Sequence, residues 1–239
     1  MNDKVVPLMK PHSDLGVRTL SSVAMMSVAI GAIWLGGYAF MALIVLVGLG
    51  VYWEFARLAV AFARNLPARI IWLFGGLLYV GLACFTLLLF SAPFFGMTPT
   101  IMLIAGVIGT DVGAYFAGRT LSGPKIAPRI SPSKTWSGLL GGMVGAGLTM
   151  IAIQAAIYAF RGGNAGGGDV YLTYGWQRLA VTGAALAVVA QIGDFFESWM
   201  KRRAGVKDSG GLIPGHGGLF DRTDGLIAVA FVAGLITVS

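Results

Sequence analysis

Residues Ser198–Asp224 read SWMKRRAGVKDSGGLIPGHGGLFDRTD, a densely charged loop between two apolar segments. Lys201, Arg202, Arg203, Lys207 and Arg222 are interleaved there with Asp208, Asp221 and Asp224, and Asp194 and Glu197 precede them on a helical pattern. A loop that only anchors a chain at a membrane surface needs cations alone. Interleaved cations and carboxylates suit a highly anionic substrate together with a divalent metal: Lys and Arg neutralise phosphate oxygens, while carboxylates are the hard oxygen ligands that Mg²⁺ takes. Gly210, Gly211, Gly215, Gly217 and Gly218 let backbone N–H groups approach phosphate, and Pro214 stiffens the turn between them.

Outward from this loop the chain is apolar. Of its 239 residues 56% are hydrophobic and only 11% charged, with a mean hydropathy of +0.80, far too apolar for a soluble domain of this size. The pattern predicts an all-α, polytopic membrane helix bundle. Apolar stretches fall near 19–36, 38–56, 70–92, 99–118, 136–160, 177–199 and 223–238, most of them near the roughly 20 residues a spanning helix needs. Seven transmembrane helices are expected, the first two joined only by Gly36-Gly37. A polar tail, 1–18, precedes a single membrane-embedded domain, 19–239. On this division fifteen of the seventeen Lys and Arg residues fall on one side, leaving only Arg161 and Arg178 for the other, so the N-terminus and the charged loop are both expected in the cytoplasm. The glycine-rich segment 161–175 then reads as a flexible external connector.

The net charge of +7 does not point to nucleic acid, because the cations sit in loops between spans and not along one soluble face. Cys84 is the single cysteine and lies in an apolar run, which excludes an intrachain disulfide and a thiolate cluster and makes it a packing residue. Glycines spaced by four, Gly109 and Gly113, Gly138 and Gly142, Gly141 and Gly145, suit close helix packing in lipid.

Asp111 and Asp194 interrupt apolar spans, where an unpaired carboxylate is costly and asks for a partner. Helical spacing puts Gln191, Asp194, Ser198 and Lys201 on one face, and Asp221 and Asp224 on one face of the last helix. Carboxylates gathered in this way are kept ionised most simply by a cation. Asp194 and Asp221 are the principal candidates for Mg²⁺ ligands, with Asp208 and Asp224 next and a second cation left open. Lys134, Lys201, Arg202, Lys207 and Arg222 are candidates for phosphate binding. Ser131, Lys134 and Thr135 in ISPSKTW either cap the next helix or hold phosphate at its N-terminus. His216, between glycines, suits a phosphate contact, a loop-shaping hydrogen bond or general-acid work.

The stretch KRRAGVKDSGGLIPGHGGLFDRTD resembles the signature of the phosphatidate cytidylyltransferases, and DVGAYFAGR at Asp111–Arg119 with KIAPRISPSKTWSG at Lys125–Gly138 resembles the same family's upstream region. The resemblance extends from Asp111 to the C-terminus. Ser137 stands where the family commonly has Glu, which removes a carboxylate from the site region, and Gly225 stands where it commonly has Ser. The resemblance implies a transferase that makes CDP-diacylglycerol and pyrophosphate from CTP and phosphatidate in phospholipid synthesis. Asp194, Asp221, Lys207 and Asp208 would form its catalytic group, and Ser131, Lys134, Lys201, Arg202, His216 and Arg222 its substrate contacts. It also implies a bacterial inner membrane with the site facing the cytoplasm, membrane lipid as a partner, and leaves a homodimer open. A CTP-dependent kinase or cytidylyltransferase acting on a polyprenol, phytol or archaeal ether lipid is the nearest alternative. An ion-coupled transporter using Asp111 and Asp194 is a different class, and the one-sided charge pattern argues against it.

Overall fold

A computed structural model describes residues 12–160, 175–213, 215 and 217–238. The described residues form seven helices and one small hairpin: α1 (His12–Leu35), α2 (Gly37–Phe62), α3 (Leu66–Phe90), α4 (Thr98–Thr120), β1 (Lys125–Ala127), β2 (Ser131–Thr135), α5 (Trp136–Phe160), α6 (Trp176–Ala204) and α7 (Phe220–Val238). Nearly all of segment 161–175, expected as a connector, lies outside the described residues, as do Pro214 and His216.

The protein is an integral membrane helix bundle. Five helices, α2 to α6, are long and apolar enough to cross a bilayer. The final helix has 19 residues and carries Asp221, Arg222 and Asp224 in its first turns, and the apolar part of α1 is the shorter stretch Thr19–Leu35. Large apolar side chains such as Leu20, Trp34, Ile71, Leu148 and Val181 face outward, as expected where lipid and not water is the surrounding solvent. The first helix begins at His12, so it overlaps the polar segment 1–18. The all-α expectation is corrected at one place: β1 pairs antiparallel with β2, Lys125 opposite Thr135 and Ala127 opposite Ser131. The prolines Pro124, Pro128 and Pro132 keep this stretch out of a helix, and Thr135 Oγ1 then accepts the Gly138 N–H at 3.1 Å, which starts α5.

Two packing modes hold the bundle. Phe40, Val51, Phe55 and Leu58 of α2, Val80 and Leu87 of α3, Met200 of α6 and Phe220 and Ile227 of α7 form one buried core. An aromatic group at its edge, Trp72, Phe196 and Trp199, stacks with ring centroids about 6 Å apart and fixes one face of α6, leaving Asp194 on the other. Between α4 and α5 the expected glycine seam is present: a Cβ on Gly113 would strike the Gly141 carbonyl, and one on Gly145 would strike the Gly109 carbonyl. Close backbone approach replaces large side chains there. Cys84 is a packing residue, its Sγ filling the space beside Gly48.

All three basic connections meet at one end of the bundle. Arg57 and Leu58, near the end of α2, border the same small cavity as Ser209 and Gly210. Arg202 Nε donates to the Ile130 carbonyl of the hairpin at 3.4 Å.

Candidate active site

Asp194 sits nearly three turns before the end of α6, and Lys134 reaches it from β2: the Lys134 ammonium is ion-paired with Asp194 Oδ2, both side chains about one quarter exposed, at 27% and 25%. Ser198, one turn further along α6, donates to Asp194 Oδ1 at 3.3 Å. Asp111 from α4 and Asp224 from α7 lie within electrostatic reach of the same pair. Burial works against the Lys134 ammonium, but Asp194 beside it, with Asp111 and Asp224 beyond, holds its pKa above the ordinary lysine value. Gly193 permits this convergence, since a Cβ there would lie 2.5 Å from Ala228 Cβ and 2.7 Å from the Asp224 carbonyl. Beside the pair opens a cavity of about 420 Å³ lined by Asp111, Tyr115, Arg119, Lys134, Thr135 and Gln191, among others. Arg119 Nη1 donates to the Tyr115 hydroxyl at 2.9 Å, holding both cavity-lining groups in place.

A second cluster lies two turns further along the same face of α6. Lys201 Nζ is 2.5 Å from Glu197 Oε2 and 2.6 Å from Asp221 Oδ1. Asp221 Oδ2 accepts from Ser209 N at 2.9 Å and from Gly218 N at 2.8 Å, with the Ser209 hydroxyl 3.0 Å away. This carboxylate ties together the two limbs of the signature loop. The sequence correctly put Asp194 with Lys201 on one face and Asp221 with Asp224 on another. Because α6 and α7 run antiparallel, Lys201 meets Asp221 while Asp194 meets Asp224, so the two principal ligand candidates have different immediate neighbours.

The other candidates divide by position. Lys207, Asp208 and Arg222 are exposed on the loop or at the start of α7, and Arg202 links α6 to the hairpin. Ser131 is buried in β2, outside the residues that line the cavity. Ser137 hydrogen-bonds the Ser122 carbonyl and the Thr135 hydroxyl, so it joins the end of α4 to the start of α5. At Gly225 an added Cβ would meet its nearest neighbour, Ala190 Cβ, at 3.4 Å, an ordinary contact.

Sequence reasoning missed Glu54. It is fully buried in α2, and its Oε2 accepts from Ser209 Oγ at 2.9 Å and from Phe220 N at 2.8 Å. A Cβ on Gly210 would collide with Glu54 Oε1, and one on Gly218 would lie 2.5 Å from Oε2. Two loop glycines read as phosphate-facing thus make room for a carboxyl group from another helix. The signal was available, because a lone Glu inside GVYWEFARLAV is as conspicuous in an apolar span as Asp111 or Asp194.

Among the described residues no three carboxylate, imidazole or thiol groups converge closely enough to hold a metal ion unaided. Mg²⁺, however, is commonly bound by one or two carboxylates plus substrate phosphates, and not by an all-protein cage. Asp194, ion-paired with the cavity-lining Lys134, and Asp224, within electrostatic reach of both, are two all-oxygen donors of the kind such a site uses.

A membrane-embedded bundle with a polar cavity lined by Asp111, Lys134 and Arg119 is suited to handling anionic groups at the membrane surface. The chain belongs to the cytidylyltransferase family, which it matches over residues 63–239. It is 35% identical to a phosphatidate cytidylyltransferase of Brucella melitensis, over 91% of each chain. It is also 33% identical to one of Rickettsia bellii, over 95% of this chain and 94% of the relative, and 32% identical to one of Rickettsia typhi, over 93% and 92%.

Proposed function

We propose that this protein transfers the cytidylyl group of CTP to phosphatidate, giving CDP-diacylglycerol and pyrophosphate. The observation that carries this reading is the Lys134–Asp194 pair, which joins the upstream block to the signature helix beside a cavity lined by Asp111, with Asp224 in electrostatic reach. The phosphate of phosphatidate is already an anionic nucleophile, so no base-activated hydroxyl is needed. One of its oxygens forms a bond to the α-phosphorus of CTP as the bond from that phosphorus to the bridging oxygen breaks, and pyrophosphate leaves with the electron pair.

What the protein must supply is charge neutralisation and alignment. Lys134, once turned from Asp194 toward substrate, neutralises phosphoryl oxygens in the cavity. Arg119 lines the same cavity and offers planar donors, while exposed Lys207 and Arg222 gather anionic substrate at its mouth. Asp194 and Asp224 would hold Mg²⁺, which when bound supplies Lewis-acid stabilisation of the α-phosphate and of departing pyrophosphate. Asp221 shapes the loop that carries these groups. We further read the bundle as seven spans with the N-terminus, the hairpin and the signature loop on the cytoplasmic side of a bacterial inner membrane, where CTP is available. The one-sided distribution of Lys and Arg supports this orientation.

The test is incubation of the purified protein with CTP, Mg²⁺ and phosphatidate, with lipid and aqueous products analysed together. CDP-diacylglycerol and pyrophosphate in equal amounts are expected, and both should be lost in Asp194→Asn. Release of CDP with phosphorylation of the lipid would replace this reading by a lipid kinase.

A further inference from the structure

Glu54 is a carboxyl group outside the two clusters that touches the signature loop from a distant part of the chain, 155 and 166 residues away from its two partners. Its Oε2 accepts the N–H of Phe220, the first residue of α7. Helix starts leave such N–H groups without intrahelical partners, and an acceptor with carboxylate character there is favourable to the helix. The cap is normally a side chain just before the helix, but here α2 supplies it across the bundle. The same Oε2 accepts from Ser209 Oγ, and that hydroxyl lies 3.0 Å from Asp221 Oδ2. Asp221 is fixed in turn by Lys201 and by two loop amides. The chain of contacts therefore runs from α2 through Ser209 to Asp221 and, one turn along α7, to Asp224 beside Asp194.

We propose that Glu54 is a positioning residue for the transfer reaction: it sets the register of α7 and of the signature loop, and through them the placement of Asp221 and Asp224, without touching substrate itself. This rests on the cytidylyl-transfer reading for its kinetic part. Burial supports it, since a fully buried carboxyl group is costly and is retained where its hydrogen bonds organise something. So does Gly210, whose missing side chain leaves room for Oε1.

The experiment compares Glu54→Met, which keeps volume but removes the acceptor, Glu54→Gln, which restores a neutral acceptor, and Val51→Ala, a core substitution one turn away on α2. Each is assayed for kcat and KM and for amide exchange over 209–220. Glu54→Met should lower kcat about 100-fold, the scale on which a displacement of about 1 Å acts, with a smaller change in KM for CTP. Its 209–220 amides should exchange about tenfold faster, as expected for loss of about 1.4 kcal/mol of local protection. Glu54→Gln should recover much of both, and Val51→Ala should keep its kcat despite lower stability.

A folded Glu54→Met with wild-type kcat, or a loss of kcat matched by Val51→Ala, overturns the proposal. If Glu54→Met does not accumulate as folded protein, Ser209→Ala cuts the same link from the loop side and carries the same expectation, and wild-type kcat there would overturn it. Exchange needs no substrate, so wild-type protein that makes no CDP-lipid would refute the functional reading while the exchange data still judge the link.

Discussion

Replacing Lys134 by methionine removes the ammonium group and keeps an unbranched side chain of similar reach. The structure then leaves Asp194 with Ser198 as its remaining contact, facing Asp111 and Asp224 with no fixed cation between them. An exposed ion pair is worth about 0–1 kcal/mol, and breaking a fully buried one costs about 3–5 kcal/mol. With both side chains one quarter exposed, about 2 kcal/mol is expected, or about 4–8 °C in Tm for a chain of this size. Mg²⁺ should behave differently from an inert salt. Because it would occupy the charge vacancy among the carboxylates, a Mg²⁺ titration should restore most of the lost Tm, whereas the same ionic strength of NaCl should not. Turnover should not recover with it. Removing one preorganised donor from a developing charge costs about 10²–10³ in kcat, and Met offers no replacement. The assay is thermal unfolding of detergent-solubilised protein with and without Mg²⁺, paired with CDP-lipid formation at saturating CTP. Wild-type turnover in folded Lys134→Met, or a Tm indifferent to Mg²⁺ in both proteins, would refute the assignment of Lys134 and its carboxylates to the reaction.

Asp194→Asn should stay folded and lose both activity and the Mg²⁺-dependent shift in Tm. Asp221→Asn should instead lower stability by about 2–4 kcal/mol, because Lys201 is held by one of its oxygens and the Ser209 and Gly218 amides by the other, and Asn keeps one acceptor and no charge; equal stability and equal Mg²⁺ response in the two variants would erase the distinction drawn between them. In a Cys84→Ser background, single cysteines in 121–132 and in 204–211 should label from the same, cytoplasmic face, and labelling from opposite faces would contradict the shared site. Neutralising Lys207 or Arg222 should reduce turnover more than neutralising Arg64 or Arg69, since all four attract anionic lipid in bulk but only the first two belong to the signature segment; equal losses, recovered equally in more anionic vesicles, would reduce them to a surface patch.

Much of the architecture was legible in the residues. The length and apolarity of the segments located α2 to α6 to within about six residues at each end, and the glycine spacings marked positions of close packing, which the structure pairs as α4 against α5, because in lipid close approach is carried by small side chains that leave a visible period. The hairpin was not legible. Three prolines excluded a helix over 124–132, but pairing of β1 with β2 depends on contacts that no short-range period records. Face assignments for Asp194, Lys201, Asp221 and Asp224 followed from helical geometry, whereas the partner of each depended on the antiparallel register of α6 against α7, which spacing within one helix does not fix. Glu54 carries the same signal as Asp111 and Asp194, a carboxyl group in an apolar span, but its partners lie 155 and 166 residues away, which no local spacing records.

The central claim is that the α-phosphorus of CTP moves to the lipid. It is tested most directly by running purified protein, Mg²⁺ and phosphatidate with CTP labelled at the α-phosphorus in one reaction and at the γ-phosphorus in another. The α label should pass into the organic phase as CDP-diacylglycerol and the γ label should remain aqueous as pyrophosphate, with neither transfer in Asp194→Asn. Recovery of the γ label in lipid, with the α label left in free CDP, would contradict the account.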